Sequence, residues 1–147
     1  MRVVDVGGKR ATARVAVARG WLSCTAAAVR AVRRGEVEKG DVLAASRLAG
    51  IMAAKRTPDI VPLCHPIALS SVELTVEPSD RPSGFRIEAR VRTVDRTGVE
   101  MEALAAVCGA ALCVYDMLKS RDRGMRIEAI ELVEKRGGRS GTWRRRS

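Results

Sequence analysis

Two short segments, SVELTVE at 71–77 and FRIEARVR at 85–92, alternate apolar and charged or polar residues without a break. Val72, Leu74 and Val76 fall on one side of the first, with Glu73, Thr75 and Glu77 on the other. Phe85, Ile87, Ala89 and Val91 repeat the pattern against Arg86, Glu88, Arg90 and Arg92. A period of two marks a strand with one buried face. PSDRPSG between the segments is rich in turn residues, so an antiparallel hairpin is expected. Such a hairpin constrains the rest of the chain. Helices must cover its apolar face, and something else, such as a partner subunit, must cover the charged face that carries Glu88 and Arg90.

The flanking segments supply the remaining layers. ARVAVARGWLS, 13–23, reads as a first strand with Val15 and Val17 opposite Arg14. TAAAVRAVRRG, 25–35, reads as a short helix stopped by Gly35. A second helix is expected over 39–56, capped by Asp41 and ended by Thr57-Pro58. The strongest helical pattern spans 97–120, where Thr97 and Glu100 have capping-box spacing. MRIEAIELVE, 125–134, reads as a last strand whose alternation slips at Ala129 and Ile130, consistent with a bulge. The order is that of a ferredoxin-like β-α-α-β-β-α-β sandwich of the α+β class, an antiparallel sheet with helices on one face. The half-and-half order suggests pseudo-symmetry without a sequence repeat.

Length and composition narrow the function. A chain of 147 residues fits one domain, residues 1–147, with a sizeable core. No apolar run approaches the roughly 20 residues of a membrane span. The opening MRVVDVGGKR has no apolar stretch of signal-peptide length, so a cytoplasmic location is expected. Cys24, Cys64, Cys108 and Cys113 form no C-x-x-C pair, and a single histidine cannot complete a common zinc set, so all four are read as reduced thiols. The net charge is +10, but residues 135–147 carry six basic residues and no acid. The basic tail, 142–147, is expected to be a solvated extension. The body lacks the aromatics of a single-strand binder, so no specific nucleic-acid partner is expected.

Several residues stand out as chemical candidates. His65 sits between Cys64 and Pro66 in PDIVPLCHPIALS, a segment with three prolines. Those prolines argue against an ordinary helix and for a stiff loop. A lone histidine there is either a loop residue tucked under the domain or a positioned acid, base or donor. On the long helix, Asp116 and Lys119 share a face after a nearly uncharged stretch. Glu102 and Asp116 point within about 40° of each other but stand about 21 Å apart along the axis. A small substrate cannot touch both on one straight helix, so they serve different sites or meet across two chains. Lys39 and Lys55, at the two ends of the second helical pattern, raise the same difficulty. Glu100 has a structural alternative as the reciprocal partner of Thr97. Lys9, Arg14, Lys39 and Lys55 would suit a polyphosphate if clustered, and are ordinary solvated cations if not. GGRSG, 137–141, is glycine-rich and basic, so it is either a phosphate cradle or a flexible tail, of which the tail is favoured. No Walker or Rossmann pattern is present.

Together, VDVGGKRATAR, KGDVLAASRLAGIMAAKRTPDIVPLCHPIALS, RTGVEMEALAAVCGAALCVYDMLK and KRGGRSG resemble the MoaC family, from about Val4 to Gly141. AAKRTxxxxPLCHP, TGVEMEAL and YDMxK in this order make the resemblance specific. It implies a cyclic pyranopterin monophosphate synthase of molybdenum cofactor biosynthesis. Such a lyase rearranges 3',8-cyclo-7,8-dihydro-GTP to cyclic pyranopterin monophosphate and releases pyrophosphate. A radical S-adenosylmethionine GTP cyclase makes that substrate one step earlier. The resemblance further implies a homohexamer, a trimer of dimers, with sites between subunits. It implies Asp116 and Lys119 as catalytic residues, and Arg14, Lys39, Lys55, Cys64, His65, Glu100, Met101, Glu102 and Lys135 as substrate-binding residues. No cofactor or metal site is expected, although magnesium could accompany the triphosphate. KRGGRSG carries arginines where lysine or serine is frequent in the family. The chemistry needs proton transfers and cations for phosphates, and the residue types fit. The competing readings are a basic nucleic-acid-binding module and a scaffold that assists the cyclase.

Overall fold

The computed structural model describes residues Met1–Ser147. Elements follow in the order β1 (Thr12–Ser23), α1 (Ala26–Arg33), α2 (Val42–Lys55), α3 (Thr57–Ile60), β2 (Ser71–Asp80), β3 (Ser83–Asp95), α4 (Glu100–Leu118), β4 (Arg126–Arg136) and β5 (Trp143–Arg144). The sheet is antiparallel throughout, in the order β2-β3-β1-β4-β5. Its first four strands have the ferredoxin-like arrangement expected from the sequence, and β5 extends the β4 edge. α4 and α2 lie antiparallel over one face.

The hairpin holds as expected but is longer. β2 and β3 pair in one register from Ser71↔Arg92 to Asp80↔Ser83, which leaves Arg81-Pro82 as the turn instead of the whole of 78–84. Pro78 is tolerated because β2 is the sheet edge. Leu74, Val76, Phe85, Ile87, Ala89 and Val91 are buried against the helices, and Glu73, Glu77, Arg86, Glu88 and Arg92 are exposed on the other face.

In β1 the helix-facing side is the one that carries Arg14, Ala16, Ala18, Gly20 and Leu22, while Val15 and Val17 point to the other face, Val15 half-buried and Val17 buried. The small residues let α4 approach closely. A Cβ on Gly20 would stand 2.7 Å from Val107 Cγ1. The α2–α4 contact is equally tight, since a Cβ on Gly109 would stand 2.5 Å from that of Ala53. α4 is long and apolar enough to span a bilayer by length and composition, so the expectation that no run approaches that length fails. Here its Ala103, Ala106, Val107, Ala110 and Val114 are buried in the shared hydrophobic cluster.

Several boundaries differ from expectation. Asp41 does cap α2, accepting from the Ala44 amide at 2.9 Å. Lys39 therefore precedes the helix and is not part of it. Pro58 sits in the first turn of the four-residue α3, where a missing N–H costs nothing. The capping box at Thr97 does not form: Val99 is the N-cap of α4 and makes no side-chain cap, which leaves Glu100 as the first helical residue. The bulge in β4 is present, with Ala129 at φ 53 and the register slipping between Arg19 and Trp21.

The basic tail is not simply solvated. Trp143 and Arg144 pair with Lys135 and Glu134. Arg144 bridges Glu134 at 2.9 Å, and Arg145 bridges Glu131 at 3.3 Å and donates to the Leu132 carbonyl at 2.7 Å. The β4–β5 hairpin thereby fixes the glycine-rich turn at its tip.

Candidate functional site

The strand end that carries Arg14 meets the N-terminus of α4 and the tip of the β4–β5 hairpin. A cavity of about 630 Å³ opens there, with no hydrophobic residue in its wall. Lys9, Arg10, Arg14, Lys135 and Arg139 supply five cations against the single carboxylate of Glu100. Arg14 is 8% exposed. Its one donation to the protein is from Nη2 to the Arg96 carbonyl at 3.3 Å, and its Nε is buried without a partner. No acidic side chain pairs with it. A buried guanidinium without a counter-ion is costly unless an anion completes it. Lys135 is held by Ser140 Oγ at 2.6 Å and stands 3.9 Å from Glu100.

A second cavity of about 350 Å³ adjoins the first and shares Lys9, Thr97, Gly98 and Glu100 with it. Cys64, His65 and Met101 form its wall, with Leu63, Ile67, Val4 and Val6. His65 is half-buried on the proline-bounded loop. Under that loop lies Glu102, 2% exposed, its Oε1 accepting from the Cys64 thiol at 3.7 Å and its Oε2 buried without a partner. Burial pushes the Glu102 carboxyl above its usual range, and the charges of Glu100 and Asp95 add to that. Its own backbone amide and the Cys64 thiol oppose it. Burial likewise pushes the Cys64 thiol up, with the Glu102 carboxylate adding to the effect. Cys64 is thus a neutral donor rather than a thiolate nucleophile.

The third cluster stands at the opposite end of the α2–α4 pair. Asp116 accepts from Lys39 at 2.7 Å and from Lys119 at 2.8 Å. Hydrogen bonds from Lys119, and then from Lys39, hold its carboxyl down at about 2. On α4 this cluster lies about 24 Å from Glu100 by helical rise. Lys39 and Asp116 meet although 77 residues apart, because α2 and α4 run antiparallel.

The structure therefore brings Arg14, Glu100 and Lys135 together in one cavity. Cys64, His65 and Met101 line the cavity beside it, over Glu102. Asp116, Lys119 and Lys39 form a separate group. Lys55 is exposed at the other end of α2 and lines neither cavity. Of the four cations weighed as a cluster, Lys9 and Arg14 converge, and Lys39 and Lys55 do not. Arg10 has no role in the sequence pattern, Thr97 is read there only as a cap, and Gly138, Arg139 and Ser140 only as tail, yet all five line the cavity. Read as tail, GGRSG hid the place of Gly138, Arg139 and Ser140 in the cavity wall, although its two adjacent glycines were the available signal. No group of three or more His, Cys, Asp or Glu side chains converges closely enough to hold a metal ion.

A wall of cations with one carboxylate, beside a loop histidine over a buried acid, is an arrangement suited to holding a small polyanion and moving protons next to it. The family follows from sequence comparison: the MoaC family model matches residues 3–138, and the chain belongs to that family. Among its relatives, the cyclic pyranopterin monophosphate synthase of Thermomicrobium roseum is 60% identical over 144 residues, 98% of this chain and 87% of the relative. The protein of the same name from Methylobacterium sp. (strain 4-46) is 57% identical over 141 residues, 96% of this chain and 88% of the relative. That from Novosphingobium aromaticivorans is 54% identical over 143 residues, 97% and 90% of the two chains.

Proposed function

We propose that this chain is a cyclic pyranopterin monophosphate synthase, a lyase that converts 3',8-cyclo-7,8-dihydro-GTP to cyclic pyranopterin monophosphate with release of pyrophosphate. The observation that carries the reading is Arg14, buried with no acidic partner in a cavity walled by cations. That is the environment a triphosphate chain requires. Relatives of that name at 54–60% identity over nearly the whole chain support the particular reaction.

In this reading Arg14, Lys135, Lys9 and Arg139 hold the phosphates and stabilise the charge that develops on the departing pyrophosphate. His65, Met101 and Cys64 face the ring system in the adjoining cavity, and Glu102 stores a proton beneath them. Lys119 carries the central proton transfer. Asp116, ionised throughout the neutral range, acts as the counter-ion that aims Lys119 and Lys39. A carboxyl held at about 2 is a poor general acid near neutrality, where catalytic groups work best with matched proton affinity. Lys55 binds substrate from the Glu102 end of α2.

The two ends of the helix pair must then meet across subunits. Leu48 and Met52 on α2 and Leu112 on α4 are large apolar residues, each at least half exposed on the outer face of these helices. They support self-association, in this reading a homohexamer built as a trimer of dimers. The substrate comes from a radical S-adenosylmethionine GTP cyclase. Four free cysteines suit a reducing, cytoplasmic setting. A nucleic-acid role is disfavoured because Arg144 and Arg145 are engaged by Glu134 and Glu131.

The test is turnover with pure components. The protein alone, given the cyclised intermediate, should yield cyclic pyranopterin monophosphate by mass and one pyrophosphate per product. Turnover only when the cyclase is also present would favour the scaffold reading.

A further inference from the structure

The Gly137-Gly138 turn meets Arg14. Both glycines adopt positive φ, 96° and 80°. A Cβ on Gly138 would lie 2.9 Å from Arg14 Cζ and 3.2 Å from Nη2, with Nη1 nearer still. The guanidinium therefore lies directly against the backbone of Gly138. On its other side it donates to the Arg96 carbonyl. The turn is held in turn by Lys135, whose ammonium reaches Ser140 Oγ at 2.6 Å and the Gly137 carbonyl at 3.4 Å.

We infer that Gly138 is a positioning residue for the anion site: its missing Cβ leaves the space in which Arg14 holds its guanidinium in the cavity wall. The inference rests on the phosphate-binding reading of this cavity and adds the element that orients its buried cation. The atoms an added methyl would strike are the far end of a flexible side chain, so the fold can accommodate the change by displacing the guanidinium. Orientation is lost instead. A displaced guanidinium leaves the Arg96 carbonyl and meets phosphate oxygens at poorer angles, and charge-assisted hydrogen bonds depend strongly on geometry.

Backbone strain is the competing cause, because an alanine at φ 80 is disfavoured in any surroundings. Gly141 provides the control. It also has positive φ, 64°, but a Cβ there meets nothing within 4 Å. Gly141→Ala likewise puts an alanine at positive φ, but without touching Arg14.

The probe is inorganic pyrophosphate, titrated calorimetrically into the full-length protein at fixed salt, with circular dichroism and oligomeric state as fold controls. The expected result is binding by the parent and at least about tenfold weaker binding by Gly138→Ala. Gly141→Ala should stay within about twofold of the parent. In an Arg14→Ala background, Gly138→Ala should cause no further loss. In turnover, Gly138→Ala should raise KM more than it lowers kcat. Parent-like pyrophosphate affinity in a folded Gly138→Ala would overturn the inference. So would an equal loss in Gly141→Ala, a full further loss without Arg14, or no pyrophosphate binding by the parent. If the binding pattern holds but the cyclised intermediate is not converted, the synthase reading fails while the positioning role of Gly138 stands.

Discussion

Replacing Glu102 with glutamine should make the protein more stable and nearly inactive. The carboxyl is 2% exposed and Oε2 has no partner. Its proton affinity is raised, chiefly by burial. A group whose folded pKa lies above its unfolded value stabilises the fold most when protonated, below about 4.5. That contribution is lost as pH rises through the folded value, because the folded state must then ionise a buried oxygen. Glu102→Gln fixes a neutral, nearly isosteric group. Parent and variant should therefore be about equally stable at pH 4.5. Above neutrality the variant should gain on the order of 1–3 kcal/mol, because it avoids ionising a buried and incompletely paired carboxyl. For a chain of this size that corresponds to roughly 3–9 °C in Tm. The assay is thermal unfolding from pH 4.5 to 8.5 at one protomer concentration, since the proposed assembly would make Tm concentration-dependent. Turnover should fall by about two or more orders of magnitude, as when a proton carrier is removed. A variant less stable than the parent at pH 8, or a difference independent of pH, would refute the reasoning.

Lys119→Ala should lose at least about a hundredfold in turnover with little change in Tm, because its pair with Asp116 is exposed and such pairs contribute little to stability; a large fall in Tm would mark the pair as structural. His65→Ala should keep its fold and lose about a hundredfold or more, and near-normal turnover would return the histidine to a bystander in the loop. Gly109→Ala should cost about 1–3 kcal/mol in denaturant unfolding, because a Cβ would crowd Ala53 across the helix pair. Deleting Thr142–Ser147 removes β5 and should lower stability by about 1–3 kcal/mol and weaken pyrophosphate binding, whereas deleting Arg146 and Ser147 alone should do neither.

Much of the fold is written in local pattern. β2 and β3 each have one buried and one wet face, so alternation alone reveals them. α4 is read from its length, and the β4 bulge from the slip at Ala129 and Ile130. What the pattern leaves out depends on tertiary contact. The helix-facing side of β1 is built from alanine and glycine because α4 packs within reach of Gly20, so Val15 and Val17 point away from the helices, Val17 buried all the same. The Thr97–Glu100 spacing has the form of a cap, yet Glu100 begins the helix and turns its carboxylate toward Lys135. β5 is two residues long and pairs with β4 beside the Arg144–Glu134 and Arg145–Glu131 ion pairs, whose partners no local pattern links. The candidate site is legible where residue types are unusual, as at His65 and the glutamates. It is hidden where its function is a matter of fit: Gly138 acts through a missing atom, and Arg139 is one charge among many in a basic run. The separation of Asp116 from Glu102 along one helix, by contrast, follows from helical rise alone, and the fold preserves it.

That separation is the centre of the account. His65 and Glu102 stand at one end of the α2–α4 pair and Lys119 at the other, so in the proposed mechanism, where all three act on one substrate, a complete site draws one end from each of two copies. Lys119→Ala and His65→Ala, each inactive alone, should be mixed one-to-one under conditions that exchange subunits, with mixed oligomers verified by native mass spectrometry. If each site takes its ends from different chains, random assortment leaves both ends intact in about one site in four, and roughly a quarter of the parent activity should return. Verified mixed oligomers that remain as inactive as either variant alone would show that the two ends do not share a site, and would contradict the account.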